Sequence, residues 1–461
     1  MLERYIGDRA FYKKVLLIAV PIIIQNGITQ FVSLLDNIMV GTVGQLPMSG
    51  VAIANQLLMV FNLCVFGATS GAGIFTAQFH GKGDHEGIRH SFRFKLLVCM
   101  SVVVIGCSVF LLGGQSLIRL FLTGEGDPAD AALTLAYGMD YLRIMLIGLL
   151  PFALSNAYSS TLRECGQTVV PMAGGVAAVL TNLGLNYVLI FGHFGMPAMG
   201  VRGAAIATVI SRYVELAVVA LWTHTHGSRH PFIRGAYHSF FIPKKLLGSI
   251  AQKGLPLLAN EFLWISGMTF LTQCYSTCGL AVVPAINIAD VIKNLSSVVY
   301  MAIGNAVGII MGQLMGSGAS AQRVRDENRK VITLAVAVGI LFGILLAAAA
   351  PFFPRLYNVS GSVRQLASQM ILVFAVMMPF NAFTLSAYFT LRSGGQALVT
   401  FLFDSCFMWV FSVALAFCLS RFTDLPIIPL YAICQGVEII KCFIGTWLLK
   451  KDFWIKNLAG G

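Results

Sequence analysis

Long apolar runs and short polar segments alternate along nearly the whole chain. Windows of 18 or more apolar residues, enough to cross a bilayer as helix, recur from end to end. The pattern predicts twelve spans, centred on 15–38, 49–78, 92–113, 134–155, 168–191, 200–222, 250–275, 283–313, 331–352, 367–390, 398–419 and 428–449. Several exceed the ~20 residues a span requires, which implies tilt or bending. Pro21, Pro256 and Pro379 fall inside or near spans and mark expected kinks. The first stretch, Val15 to Gly41, carries one proline and one carboxylate. At ~100° per residue Gln25, Thr29 and Asp36 project within about 40° of one another, flanked by Asn26 and Ser33. An apolar helix thus has a polar seam with an acid near its end. A carboxylate at membrane depth costs roughly 2.5–3.5 kcal/mol on insertion scales, so it faces protein or water. The plainer alternative is a helix-packing seam with Asp36 near the headgroups.

The reading is an all-α polytopic membrane protein. Mean hydropathy is +0.80 and only 11% of residues are charged, against about 25% in soluble domains. The first apolar stretch is too long for a signal-peptide core and is read as a mature span. The net charge of +12 does not mark a nucleic-acid surface. With the N-terminus placed in the cytoplasm, 22 Lys and Arg fall in inside segments, five in outside segments and four within spans. This asymmetry predicts both termini inside. Ten Cys are present, nearly all in apolar runs, with no paired metal spacing; Cys274 and Cys278 are one helical turn apart. His85-Glu86 followed by His90 misses the HExxH spacing by one residue. No phosphate loop, nucleophile elbow or dinucleotide fingerprint occurs, so no catalytic residue and no cofactor are expected.

The chain also repeats itself. AVPIIIQN from Ala19 matches GLPLLANE from Gly254, and AQFHGKGD from Ala77 matches GQLMGSGA from Gly312, both at an offset of 235. LRECGQ from Leu162 matches LRSGGQ from Leu391, and VEL from Val214 matches VEI from Val437. Six spans is an even number, so the two units insert in the same orientation about an axis along the membrane normal. The expected division is 1–222, a solvated cytoplasmic linker at 223–249 rich in His, Arg and Lys, and 250–461. Buried charges fall in i, i+3 pairs, read as local ion pairs: Asp140–Arg143, Arg212–Glu215, Asp290–Lys293 and Glu438–Lys441.

On these residues the sequence resembles the multidrug and toxic compound extrusion (MATE) antiporters. Pro21, Asp36 with DNIMVG, AQFHGKGD, LRECGQ, Asn182 with Asn186, and GLPLLANEFLW carry the likeness. The resemblance implies two pseudo-twofold-related six-helix bundles. It implies export of amphipathic, often cationic, organic compounds by H⁺ or Na⁺ antiport, with rocker-switch alternating access. The cation-coupling site then maps onto Asp36, Asn156, Asn182 and Asn186, with Asn186 at a position that is Asp in some members. A second site maps onto Glu261, which follows Pro256 by five residues where related members carry a Glu at eight; Trp264 holds that place. The only metal expected is Na⁺ at Asp36 or Glu261. The tenth span offers Asn381, Thr384, Ser386 and Tyr388, and the eleventh offers Asp404.

Asp290, Lys293 and Asp404 are possible charge-switch residues, with Lys293 exchanging between Asp290 and Glu261. Gln25, Thr29, Ser33 and Thr272 are expected in the substrate cleft, Thr272 lying about 20° from Glu261 on the helical wheel. Expected partners are small organic cations or amphiphiles and the lipid bilayer, not nucleic acid. The chain is expected to be a monomer in a bacterial plasma membrane. The rival reading is a lipid-linked oligosaccharide flippase of the same superfamily, which calls for extra spans and a basic cleft.

Overall fold

The computed structural model describes residues 5–122 and 127–460, without the side chains of Ser33, Leu34 and Asn37. Ser33, expected in the cleft, therefore lies outside the described side chains. Twelve long helices follow the twelve apolar runs, and no strand occurs among the described residues. They are α1 Arg9–Gly41, α2 Gln45–Lys82, α3 His85–Leu122, α4 Pro128–Glu164, α5 Val169–Phe191 and α6 Val201–Thr225. After the connecting segment come α7 Lys244–Ser276, α8 Val282–Gly316, α9 Ala321–Ala349 and α10 Gly361–Ser393. The last two are α11 Ala397–Phe422 and α12 Ile427–Lys450. Most run several residues beyond the apolar windows because helix continues into the polar ends. Eleven are long and apolar enough to cross a membrane; α7 matches them in length, but Lys244, Lys245, Lys253 and Glu261 make it more polar. Helix α11 contains two π-helical stretches, Leu402–Cys406 and Met408–Val413. Such wide turns leave the regular hydrogen-bond ladder and are frequent at functional positions.

The contacts define two compact units. One comprises Ile24–Thr76 and Asp84–Ile250; the other comprises Met1–Ile23, Ala77–Gly83 and Ala251–Gly461. The bounds differ from the 222/250 division by two short segments, the start of α1 and the end of α2. In the N-terminal unit α4 packs on α3 and α6, and α6 on α5. In the C-terminal unit α10 is central, packing on α8, α9 and α12. Two apolar cores fill the C-terminal unit. One gathers Ala285, Ala367, Met370, Met378 and Leu430; the other gathers Phe11, Val15, Val307, Met311, Leu391 and Trp454.

The repeats have structural causes. LRECGQ and LRSGGQ each close a helix by the same left-handed cap. Gly166 N donates to Arg163 O at 2.9 Å and Gln167 N to Leu162 O at 2.8 Å. Gly395 N donates to Arg392 O at 2.9 Å and Gln396 N to Leu391 O at 3.2 Å. With φ of +79° and +73°, Gly166 and Gly395 occupy the conformation that favours glycine. The AQFHGKGD and GQLMGSGA segments touch reciprocally. A Cβ on Gly81 would overlap the backbone carbonyl of Gln313, and one on Gly316 would overlap that of Gln78. A contact in which each segment plays both roles is what a twofold relation produces.

Within the 223–249 segment, residues 230–236 pack on α3, while much of the rest is exposed as expected of a solvated linker. Arg93 donates to Ala236 O and Gly235 O, both at 2.8 Å, and to Phe241 O at 3.3 Å; Arg89 donates to Phe232 O and Pro231 O at 3.2 Å. Phe232, Ile233 and Ala236 are buried, and Phe232 meets the Phe92 ring edge-on at 5.7 Å. Guanidinium groups of α3 thus satisfy the segment's carbonyls while its apolar residues cover α3. Nearby, His224 to His238 wall a cavity of about 470 Å³.

Candidate functional site

Asp36 lies in the last third of α1 and meets α5. Asn186 Nδ2 donates to Asp36 Oδ1 at 2.7 Å and to Asn182 Oδ1 at 3.1 Å. Asn182 and Asn186 are one turn apart, so both amides face the acid from a single helix. The Asn182 amide is satisfied at both atoms only with its nitrogen toward Asp36. With its nitrogen outward it donates to Thr208 Oγ1 of α6 at 3.2 Å. Turned over, the nitrogen reaches Asp36 Oδ1 at 2.9 Å and Oδ2 at 3.0 Å, and the oxygen accepts from Thr208. The first orientation sets an acceptor against a carboxylate, which is favourable only with a proton or cation between them. The second suits the bare carboxylate. Asn186 Oδ1 is buried and has no hydrogen-bond donor, an orphan acceptor beside the acid. Tyr141, whose hydroxyl donates to Asn55 Oδ1 at 3.2 Å, borders the same patch. Among the described residues no Lys, Arg or His lies within ion-pair distance of Asp36. The arrangement offers a carboxylate, two amide oxygens and a hydroxyl, a set able to accept one proton or hold one hard monovalent cation.

The other expected members sit elsewhere. Asn156 Oδ1 accepts from Thr69 Oγ1 of α2 at 3.3 Å and forms no hydrogen bond with Asp36. Its place is taken by Thr208, which sequence reasoning missed because a lone hydroxyl in α6 has no distinguishing spacing. Gln25 packs on α5, where a Cβ on Gly175 would lie 2.9 Å from its amide nitrogen. Thr29 and Thr272 are exposed and return their hydroxyls to Gln25 O and Met268 O, at 2.8 and 3.0 Å.

In the C-terminal unit the acid that gathers partners is Asp404, not Glu261. Asp404 Oδ1 accepts from Lys441 Nζ at 2.8 Å, and Oδ2 from Asn260 Nδ2 at 3.1 Å. Glu261 is the next residue along α7 after Asn260, with the charges of Arg392 and Asp404 both acting on it. Lys293 pairs with Asp290 at 2.6 Å, as the spacing suggested, and has no second carboxylate within ion-pair distance among the described residues. Lys441 keeps Glu438 at 3.8 Å but lies closer to Asp404. Two other local pairs are replaced by contacts between helices. Asp140 binds Arg202 Nη2 at 2.8 Å rather than Arg143. Arg212 donates to Gly148 O at 3.3 Å and lies over the Phe152 ring at 4.9 Å, while Arg163 is the strongest charge acting on Glu215. The N-terminal unit also buries Lys95 against Glu164, with Thr161 and Ser160 completing the ammonium's shell.

Comparison with known proteins follows this geometry. A protein from Thermotoga maritima named as probable multidrug resistance protein NorM is 23% identical over 418 residues, covering 90% of this chain and 87% of its own. A solved multidrug resistance MATE family transporter of the MOP superfamily, in an outward-facing conformation, superposes with a TM-score of 0.84 at 18% identity, covering 96% of each chain. A MOP superfamily transporter from Pyrococcus furiosus, described as having a binding pocket of reverse polarity, superposes at 0.81 with 19% identity over 96% of each chain. At these identities the two structures establish the fold, two lobes of membrane-crossing helices, and nothing finer. The MatE family model matches residues 21–188 and 256–418, both halves of the repeat. This chain therefore belongs to the MatE family, the multidrug and toxic compound extrusion transporters.

Proposed function

We propose that this transporter exports amphipathic organic cations in exchange for H⁺ or Na⁺ taken up at Asp36. The observation that carries the reading is an acid held, among the described residues, by neutral groups alone: Asn186 Nδ2 at 2.7 Å and the amide of Asn182, backed by Thr208. A fixed cation at that acid would hold it permanently ionised. Amides and a hydroxyl instead serve both the bare carboxylate and the loaded one, by rotation of the Asn182 side chain. Loading and release at Asp36 then cost little beyond the ion's own hydration. Because Asp36 sits on α1 and its partners on α5 and α6, loading changes how these helices are tied together. That difference is what drives one limb of a rocker-switch alternating-access cycle.

The driving force is sufficient. A potential of 100 mV supplies ~2.3 kcal/mol per charge, and each tenfold concentration ratio adds about 1.4 kcal/mol. The organic substrate is inferred from the family and from a chain with 33 Phe and 18 Met, adaptable and polarisable groups that suit varied apolar ligands. The Lys and Arg asymmetry supports both termini in the cytoplasm, and the Thermotoga maritima relative suggests a bacterial plasma membrane.

The test uses proteoliposomes loaded with a fluorescent organic cation. A pH jump and a Na⁺ jump are imposed separately, and the one that drives efflux identifies the coupling ion. Asp36→Asn should abolish driven efflux while leaving folding intact. Parent-like efflux by that variant refutes the reading.

A further inference from the structure

The acid of the C-terminal unit has a different setting from Asp36. Asp404 lies in the π-helical stretch Leu402–Cys406, and both its oxygens face donors, Lys441 Nζ at 2.8 Å and Asn260 Nδ2 at 3.1 Å. Asn260 is not free to turn. Its Oδ1 accepts from Ser405 Oγ at 2.8 Å and from Ser405 N at 3.3 Å, with both side chains buried. The pocket is therefore built for an ionised Asp404 with a positive charge beside it. Lys441 supplies that charge from a side chain only 8% exposed. Its ammonium lies 5.3 and 5.9 Å from the ring centroids of Phe403 and Phe407, with Glu438 Oε1 at 3.8 Å. Carboxylates combined with aromatic faces are the surroundings that recognise an organic ammonium. The remaining charged or titratable neighbours are Glu261, balanced by Arg392, and Tyr388 and Cys442.

We infer that Lys441 is the resident cation of the C-terminal unit. Its ammonium holds at Asp404 the position that an exchanging ion takes at Asp36. Asp404 is therefore not loaded during transport, and a primary ammonium is the ligand class this pocket accepts. The inference rests on the reading of Asp36 as the exchange site and narrows it to one half of the chain. The contrast is in the partners: neutral amides and a hydroxyl around Asp36, an amide locked by Ser405 and a tethered ammonium around Asp404.

Shortening Lys441 to Ala leaves Asp404, Asn260 and the two rings around a vacancy the size of a small amine. Purified full-length Lys441→Ala in nanodiscs is to be unfolded thermally while titrated with methylammonium chloride or sodium chloride at equal ionic strength. The variant should melt below the parent. Methylammonium should raise its midpoint at least threefold more than sodium does, and Asp404→Asn/Lys441→Ala should show no such preference. A response of Lys441→Ala no larger than that of the double variant overturns the inference.

A second arm removes the Asp404–Lys441 pair as a unit and leaves the more exposed Glu438 as the acid beside it. Asp404→Asn/Lys441→Met removes both charges together and should keep ion-driven efflux within twofold of the parent, whereas Asp36→Asn loses at least tenfold. Loss of driven efflux in the folded double variant, with dye binding retained, overturns the inference because Asp404 is then itself loaded. Retained efflux in Asp36→Asn counts instead against the Asp36 reading.

Discussion

The segment between the halves yields the sharpest structural prediction, because sequence alone suggested a solvated linker there. Arg93→Met removes three hydrogen bonds from a guanidinium to the carbonyls of Ala236, Gly235 and Phe241 while keeping a long apolar stem against Phe92 and Phe232. A hydrogen bond to a charged group contributes roughly 1.5–3 kcal/mol. Two of the freed carbonyls belong to residues that water reaches, Gly235 and Phe241, so the net loss is well below the sum, about 2–4 kcal/mol. Arg89 keeps its bonds to Phe232 O and Pro231 O, so the damage stays local. At about 1.4 kcal/mol per decade, local opening should become roughly 30- to 800-fold more frequent. Hydrogen exchange at amides 232–241 and tryptic cleavage after Arg229 and Arg234 read this opening, while exchange in α5 and α10 should stay unchanged. Parent-like protection across 232–241 in the folded variant would mean that the Arg93 bonds do not hold the segment.

Two further predictions concern the repeats. Gly166→Ala and Gly395→Ala each force a Cβ into the left-handed region, costing about 1–2 kcal/mol, and Gly395→Ala also brings that Cβ to 2.6 Å from Leu458 Cδ1, so both variants should melt below the parent in a thermal scan. Gly81→Ala and Gly316→Ala each push on a backbone carbonyl of one shared contact, an overpacking cost of roughly 1–3 kcal/mol. The second substitution should therefore add little once the first has separated the segments, and a double-mutant cycle giving fully additive losses would show that the two glycines do not share a contact.

The helices were legible because bilayer-length apolar runs leave few alternatives, and the repeat was legible because each matching string serves a local backbone need. LRECGQ and LRSGGQ are alike because the same cap requires glycine at one position. The folding of 223–249 was not legible. Its His, Arg and Lys resemble those of any solvated segment, and its anchors, Arg89 and Arg93, lie more than a hundred residues away on α3. Helix α7 shows the opposite case: its polar residues weaken the apolar signal, yet the run at 250–275 was long enough to predict the helix found at Lys244–Ser276.

Charge partners follow the same division. Spacing of i, i+3 brings two side chains within reach but does not choose between them and a neighbouring helix. Asp290 and Lys293 meet, at 2.6 Å. Asp140 instead reaches Arg202, where two donors of one guanidinium engage Oδ2 at 2.8 and 3.0 Å, a stronger hold than a single local contact. Lys441 chooses Asp404, 37 residues distant, over Glu438 on its own helix. The choice matters because an acid's partner decides whether it exchanges ions. Removing one member of a buried pair leaves an uncompensated charge at a cost of about 3–5 kcal/mol, so an acid with a tethered ammonium resists losing it to a passing ion. An acid among amides has no such bond to break. The sequence ranked Asp36 and Glu261 above Asp404, and only the groups within hydrogen-bond reach of each acid distinguish one set among amides from one beside a tethered ammonium.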